Sequence, residues 1–429
     1  MSVESVGVLG GGAAETGESS IDTADCVSDP TAEIEGDTIS LVSSFPQSGL
    51  VAAYGEVARG WKAYLDKVNE EGGVEIAGNT YQIEYDDQDD QYNAAETSAN
   101  IDELVGPEGD GAFAVFSVVG TANNLAIRDT LSELCVPNLF AATGSPAWGN
   151  PDYPWLIGST LAPYSLEGYL FAQVLEEENP TAKVAMLVQD DDFGAAYEES
   201  FRQAIEGTDI EVVQVEKYPT GASEVSAQIT SLAASGADAF FDGGAALACP
   251  DALTKKAAAN WEAITWVSGV CTSDTLMGLA GAAADGVYSA ANIKDPLNPE
   301  WDADPAMVEY LDAVRQYQPD GFRETNAIVG FGYTQGALFV EALEAAEAPT
   351  RLAIMESVRN LDGVSDVGLL LPGVSITTGE GDNFMGESLM LAQYDYLGDG
   401  QRNHFVPYGE LVDFEGQTTE LTPEALING

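Results

Sequence analysis

An α/β chain of two doubly wound parallel-sheet lobes, joined by a hinge with a cleft between them, is what the sequence predicts. Three observations carry this. Residues 39–73 read as strand, polar loop and helix, and a new strand follows at once. Short apolar runs then alternate with helical periods in two series, 81–141 and 183–268. The length, 429 residues, is long for one hydrophobic core and comfortable for two.

The first unit is the most informative. Ile39, Leu41 and the small residues to Ser44 have the composition of a short buried strand, and Pro46-Gln47-Ser48-Gly49 that of a loop. From Tyr54 a helix is predicted, because Tyr54, Val57, Ala58, Trp61, Leu65 and Val68 share one face at the 3.6-residue period and Glu71-Gly72-Gly73 supplies a glycine stop. Tyr81 to Asp86 is the next strand. Such a unit closes as a right-handed crossover, so its strands are parallel and its first loop sits at the carboxyl edge of the sheet. Ligands bind at that edge in open α/β sheets, which nominates Ser48 and Tyr54; plain chain reversal is the competing role for the loop.

The rest follows in order. A helix near Asn93 to Val105, the strand Ala112 to Ser117, a helix from Thr121 and the strand Val136 to Ala141 complete the first lobe. After a crossing near Ile157-Gly158 come the helix Ser165 to Glu177 and the strand Lys183 to Val188. The strand Ile210 to Glu216, a helix through Ala234, and strands ending at Asp242 and Ser268 continue the second lobe. Gly286 to Ala291 is expected to cross back, and helices at 306–317 and 327–346 to return to the first lobe. Val374 to Thr377, Ser388 to Tyr394 and the stretch near Phe405 are expected to finish the second. The expected divisions are thus a flexible tether over 1–36, the first lobe over 37–157 and 289–365, the second over 158–288 and 366–416, and a tail over 417–429.

Composition narrows the function. Lys and Arg number 15 against 71 Asp and Glu, a formal charge of −56, which argues against nucleic acid or an anionic membrane surface as a partner. That acidity suits a saline or alkaline medium, where the screening length falls to about 3 Å at ~1 M salt, and equally suits a lineage of acidic secreted proteins; melting against salt concentration separates the two. No apolar run approaches the ~20 residues of a membrane helix. Met1 is followed by no basic and apolar stretch, so any export signal is expected to lie outside this sequence. Residues 1–35, rich in Gly, Ser and acidic residues, read as a tether of the kind that separates a lipid anchor from a secreted domain. Cys26, Cys135, Cys249 and Cys271 lack Cys-x-x-Cys spacing, against zinc or a redox pair. Two disulfides are the economical reading: Cys249 with Cys271 at one sheet edge, and Cys26 with Cys135 tying down the N-terminal segment.

Catalytic material is poor. His404 is the single histidine and is expected in an exposed hairpin turn. There is no Gly-x-Ser-x-Gly elbow and no phosphate loop. Gly330-Phe331-Gly332-Tyr333-Thr334-Gln335-Gly336 opens no βαβ unit and reads as helix packing. The run Asp86-Asp87-Gln88-Asp89-Asp90 lacks the glycine of a calcium loop and is expected to be solvated. Asp190-Asp191-Asp192 reads as a helix cap, with cation binding the lesser alternative. No cofactor and no metal site is expected.

The strand, the Pro-x-Ser-Gly loop, Ala53-Tyr54-Gly55, Val68-Asn69-Glu70-Glu71-Gly72-Gly73-Val74, Tyr85-Asp86-Asp87 and Asn93-Ala94-Ala95 together resemble the extracytoplasmic solute-binding proteins of ABC importers, more narrowly the branched-chain amino-acid binding type with its type I periplasmic binding protein fold. The resemblance runs to about Gly416 and weakens after Leu361. It implies a small-molecule solute captured by lobe closure, a membrane permease as partner, an extracytoplasmic, possibly lipid-anchored location and a monomer. A ligand-sensing ectodomain of the same fold and a cleft hydrolase are the alternative functions.

In that family, as the resemblance implies, loops falling here on Val118-Val119-Gly120-Thr121 and Ala141-Ala142-Thr143 hold a ligand carboxylate. Thr121 and Thr143 keep hydroxyls, whereas Val118 stands where a serine is expected. The acid that pairs with a ligand ammonium is missing from Gly269-Val270-Cys271. An α-amino acid would then need Asp190 to Asp192 or Asp242, because an unpartnered buried ammonium costs several kcal/mol. Phe193, Gly243 and Cys271 complete the second-lobe candidates. Trp148 and Tyr333 are aromatic candidates that fit the core equally well. The expected solute is a small carboxylate, amide or aromatic acid rather than leucine, isoleucine or valine.

Overall fold

The structure is a computed structural model that describes residues 21–105, 111–319, 324–379 and 381–428. The chain opens with β1 (Thr38–Phe45), α1 (Val57–Glu71), β2 (Val74–Ile76), β3 (Asn79–Asp89), α2 (Ala94–Val105), β4 (Ala114–Phe116), α3 (Thr121–Leu134), β5 (Asn138–Ala141) and β6 (Leu156–Gly158). Its sheet runs β2-β3-β1-β4-β5-β6, parallel from β3 to β6. β1, β4 and β5 are almost wholly buried by helices on both faces, which is why they read as apolar runs rather than alternating ones. β2 is an addition to the expected order. Ala77 and Gly78 both have positive φ and join β2 to β3 as a two-residue hairpin, the conformation that matches strand twist.

The second series is α4 (Tyr164–Glu178), β7 (Lys183–Gln189), α5 (Asp192–Ala204), β8 (Glu211–Tyr218), α6 (Ser226–Ala233), β9 (Ala239–Gly243), α7 (Ala248–Ala258), β10 (Ile264–Val267), α8 (Asp274–Ala280) and β11 (Tyr288–Ala291). The return segment carries α9 (Pro305–Tyr317), α10 (Ala327–Ala345), α11 (Arg351–Val358), β12 (Val364–Ser365) and β13 (Ser375–Ile376). The chain ends with β14 (Ser388–Asp395), β15 (His404–Asp413) and α12 (Glu424–Asn428). The second sheet runs β15-β14-β11-β10-β9-β7-β8, with β14 antiparallel to β11 and β15 antiparallel in turn to β14. α10 docks on α1 so closely that a Cβ on Gly60 would sit 2.0 Å from the Val329 carbonyl and one on Gly332 1.9 Å from that of Val57. The glycines of the 330–336 stretch therefore serve helix packing, as expected.

Several boundaries move. Residues 21–36 are packed rather than a free tether: Ile21 is buried, Cys26 is disulfide-bonded to Cys135, the Ile34 N–H reaches the Pro349 carbonyl and that of Leu352 reaches Pro30. Residues 1–20, and the anchor expected upstream, lie outside the described residues. Tyr288–Ala291 stays in the second sheet, and the chain crosses back over 292–294, where Leu371 and Lys294 N–H groups bond to Asn292 and Leu369 carbonyls. β13 pairs with β12 in a separate ribbon and does not finish the second sheet, whereas β14 and β15 do. The tail folds back, with the Thr422 hydroxyl 2.8 Å from that of Ser165. His404 is buried at the start of β15 with Nδ1 against the Arg402 carbonyl, not exposed in a turn. Cys249 is joined to Cys271, so both expected disulfides are present.

Candidate functional site

Each sheet has a switch point, where successive connections leave in opposite directions. In the first it lies between β1 and β4, in the second between β7 and β9. Loops on either side of a switch point diverge and leave a crevice at the carboxyl edge. The two crevices face each other and enclose a cavity of about 140 Å³. An apolar cavity of ~150 Å³ accepts a benzene-sized guest, which sets the scale.

Val119, Gly120, Thr121, Ala142 and Thr143 form the first-lobe wall. Gly120 has φ +104°, and a Cβ there would lie 2.6 Å from Asn123 Oδ1 and 2.8 Å from the Tyr92 ring, so glycine alone fits before α3. The Thr121 and Thr143 hydroxyls are 2.7 Å apart, and Thr143 lies 3.1 Å from the Tyr164 hydroxyl. The first N–H groups of α3 open toward the same wall and carry the positive end of the helix dipole. Backbone strain gathers here too. Of nine non-glycine residues with positive φ among those described, Gln91, Tyr92, Ser117, Phe140 and Ala246 lie on segments bounding the cavity.

The acidic run at the end of β3 is largely structural, with Asp86 exposed. Asp90 is buried and accepts from the Ser44 and Thr97 hydroxyls and the Tyr92 N–H, which places Tyr92 in the wall. Burial raises its pKa while those bonds oppose the shift. Asp89 accepts from the Gln47 N–H and the Ser48 hydroxyl, fixing the β1 loop. Asp87 pairs with Lys62.

The opposite wall is aromatic. Phe193 meets Tyr164 edge-on with ring centroids 5.2 Å apart. The Tyr54 hydroxyl, from the first lobe, accepts the Ala246 N–H of the second at 2.6 Å, so the lobes are latched together. Glu167 accepts from Tyr197 (2.8 Å), Trp266 (3.2 Å) and the Gly269 N–H (2.8 Å), and so holds the Gly269–Ser273 loop from behind; burial raises it to about 7. Asp242 accepts from the Gly244 N–H through Oδ1, while its buried Oδ2 has no partner among the described residues, and burial pushes it well up. Asp191 caps α5 through Gly194. None of Asp190, Asp191, Asp192 or Asp242 lines the cavity. The carboxylate that does is Asp295, whose oxygens accept the Leu297 and Phe405 N–H groups and which burial raises to about 6. Among the described residues no lysine, arginine or histidine lines the cavity.

Seven of the nominated residues line it: Tyr54, Val119, Gly120, Thr121, Ala142, Thr143 and Phe193. The others do not. Val118 and Ala141 are buried one residue behind, where the Val118 carbonyl accepts the Ala142 N–H. Trp148 lies beneath the loop and donates from Nε1 to the Thr143 carbonyl at 3.0 Å. Ser48 is exposed and committed to Asp89. Gly243 is still within β9, against the Leu187 carbonyl, and Cys271 is spent in its disulfide. Tyr333 points into the core between Tyr64 and Tyr310, and Phe331 on another face of α10 reaches the cavity instead. Tyr92, Tyr164, Asn292, Asp295 and Phe405 were not foreseen. Tyr164, at the start of α4 after Pro163, carried a helix-start signal; the hinge residues carried none.

A family model described as periplasmic binding protein matches residues 38–401. Among solved structures, a substrate-binding periplasmic protein from Ralstonia solanacearum is 22% identical, with 86% of this chain and 100% of that chain covered and a TM-score of 0.74. A branched-chain amino acid ABC transporter from Thermus thermophilus with bound valine is 19% identical over 89% and 97% of the two chains, with a TM-score of 0.75. A fatty acid ABC transporter substrate-binding protein from Thermomonospora curvata is 18% identical over 91% and 96%, with a TM-score of 0.73.

Proposed function

The chain belongs to the periplasmic binding protein family, the solute-binding and non-enzymatic components of ABC transporters that work outside the cytoplasm; from that premise we propose that it captures a small aromatic or apolar carboxylate, or the matching amide, and delivers it to an importer's permease. The observation that carries this is the Thr121–Thr143 hydroxyl pair beside the first turn of α3, in a cavity otherwise walled by aromatic and aliphatic groups. The carboxylate end sits on the hydroxyls and N–H groups, and the apolar body lies between Phe193 and Phe405. Asp295 offers an ammonium only a carboxylate already engaged by two backbone N–H groups. The solute binds one lobe first and closure covers it. The expected state is a monomer, with a lipid anchor upstream of the N-terminal tether as an accompanying proposal; no helix among the described residues is long and apolar enough to cross a membrane.

Calorimetry with benzoate, phenylpropanoate and their amides, against leucine, isoleucine and valine, tests the reading. Aromatic carboxylates or amides are expected to bind more tightly than the three amino acids. Submicromolar binding of any branched-chain amino acid overturns the solute class, and no heat from any compound in the panel overturns the pocket.

A further inference from the structure

Far along the chain from the cavity loops, three carboxylates from two segments converge where the last interlobe connection enters the second lobe. Asp382 lies between β13 and β14, Glu387 directly precedes β14, and Glu415 follows β15; one oxygen of each lies within 4.8 Å of the other two. Glu387 is 2% exposed. Its Oε1 accepts the Thr418 hydroxyl, whereas its buried Oε2 has no donor among the described residues other than a proton shared with Glu415. An unpartnered carboxylate oxygen at that depth demands a positive charge or a donor. Among the described residues, the charged neighbours that act on Glu387 and Glu415 are themselves acids: Asp382 and Glu415 on the first, Asp382 and Asp413 on the second.

The surroundings give the cluster a role. A Cβ on Gly386 would lie 2.6 Å from the Thr160 carbonyl and 2.8 Å from that of Leu161, so the 382–387 segment runs against the first crossing between the lobes. The Phe384 ring lies over Gly149 of the first lobe. Glu415 and Thr418 belong to the segment that follows the last strand of the second. Whatever joins the three carboxylates therefore fastens the third crossing to the second lobe.

We propose that Asp382, Glu387 and Glu415 form a binding site for a divalent cation of the calcium class. Calcium takes six to eight oxygen ligands in flexible geometry, which three carboxylates and water supply, and its two charges offset most of the three negative ones. A single shared proton would satisfy one pair and leave the third acid opposed. Solvent reaches the site from the side of Glu415, which is exposed. The sequence alone indicated no metal here, because the ligands are not spaced as a loop motif; β14 and β15 bring Glu387 and Glu415 together.

The test is calorimetric titration of the full, chelator-treated protein with calcium chloride at ~1 M sodium chloride, where diffuse binding to a chain of −56 is screened, alongside melting with and without calcium. One saturable site per chain and a calcium-dependent rise in Tm are expected. Glu387→Gln and Glu415→Gln should each weaken that site about tenfold or more. A wild-type titration without a saturable site overturns the proposal, as does unchanged calcium binding in Glu415→Gln. So does a Glu387→Gln protein whose Tm rises equally with and without calcium, the result a shared proton would give. If Glu387→Gln does not fold, Glu415→Gln, altered at an exposed side chain, decides alone.

Discussion

The two faces of the cavity are chemically opposed. The first-lobe face offers the Thr121 and Thr143 hydroxyls and the first turn of α3, groups that serve an electron-rich end of a ligand. The face made by the second lobe and the hinge offers Phe193, Leu389 and Phe405, with Glu167 and Asp242 buried behind it and Asp295 at its edge. Burial raises all three acids toward their neutral forms. Orientation is the consequence. On the proposed reading a carboxylate is drawn to one side and an apolar body to the other, with no lysine or arginine among the described residues of the wall.

The sharpest way to break this contrast is to remove the polar face. In a Thr121→Val, Thr143→Val protein, calorimetry should show a carboxylate ligand bound about 100-fold more weakly, about 3 kcal/mol for two hydrogen bonds to a charged group, with Tm little changed. Retained affinity would mean that the ligand does not sit there.

The second-lobe face is probed by Glu167→Gln. Because the folded-state pKa of Glu167 is raised from 4.5 to about 7, the native state holds more protons than the unfolded one across that window. Stability therefore falls as pH rises from 4.5, and the loss is complete above about 7, on the order of 3 kcal/mol. The glutamine variant should lack this slope, seen as a smaller difference between urea midpoints at pH 5 and pH 8. Equal slopes in both proteins would show that Glu167 is ionised throughout.

Tyr54→Phe separates closure from contact. Loss of the bond to the Ala246 N–H should weaken ligand binding about fivefold, about 1 kcal/mol, and leave the ligand-bound protein with a larger radius of gyration by X-ray scattering. The smallest effect is expected for Asp295→Asn, less than about threefold on a carboxylate ligand, since the acid already accepts two backbone N–H groups. A large loss would identify Asp295 as partner to a ligand ammonium and reverse the assignment of the two faces.

Much of this architecture was legible in residue order. Trp61, Leu65 and Val68 at helical spacing, closed by Gly72-Gly73, specify α1, and alternation of apolar runs with helices commits the chain to parallel sheets whose carboxyl edges bear loops. The 118–121 and 141–143 loops were nominated by the resemblance, and a parallel sheet, which places the residues just after each strand at one edge, accounts for their position. Phe193 was nominated as an aromatic. The nomination erred by one residue at Val118 and Ala141, where a side chain at one position faces inward and its neighbour faces the crevice. On α10 the aromatic candidate was Tyr333, although the glycines at 332 and 336 that let α1 approach put that part of the helix against α1 and the core, leaving Phe331 for the cavity. The hinge wall and the acid cluster had no local signature at all. Asn292, Asp295, Leu389 and Phe405 meet because β14 returns antiparallel beside β11 and β15 antiparallel beside β14, and Glu387 meets Glu415 through the β14–β15 pairing. Those registers are set by long-range burial and hydrogen bonding, so they exist only once both lobes have folded.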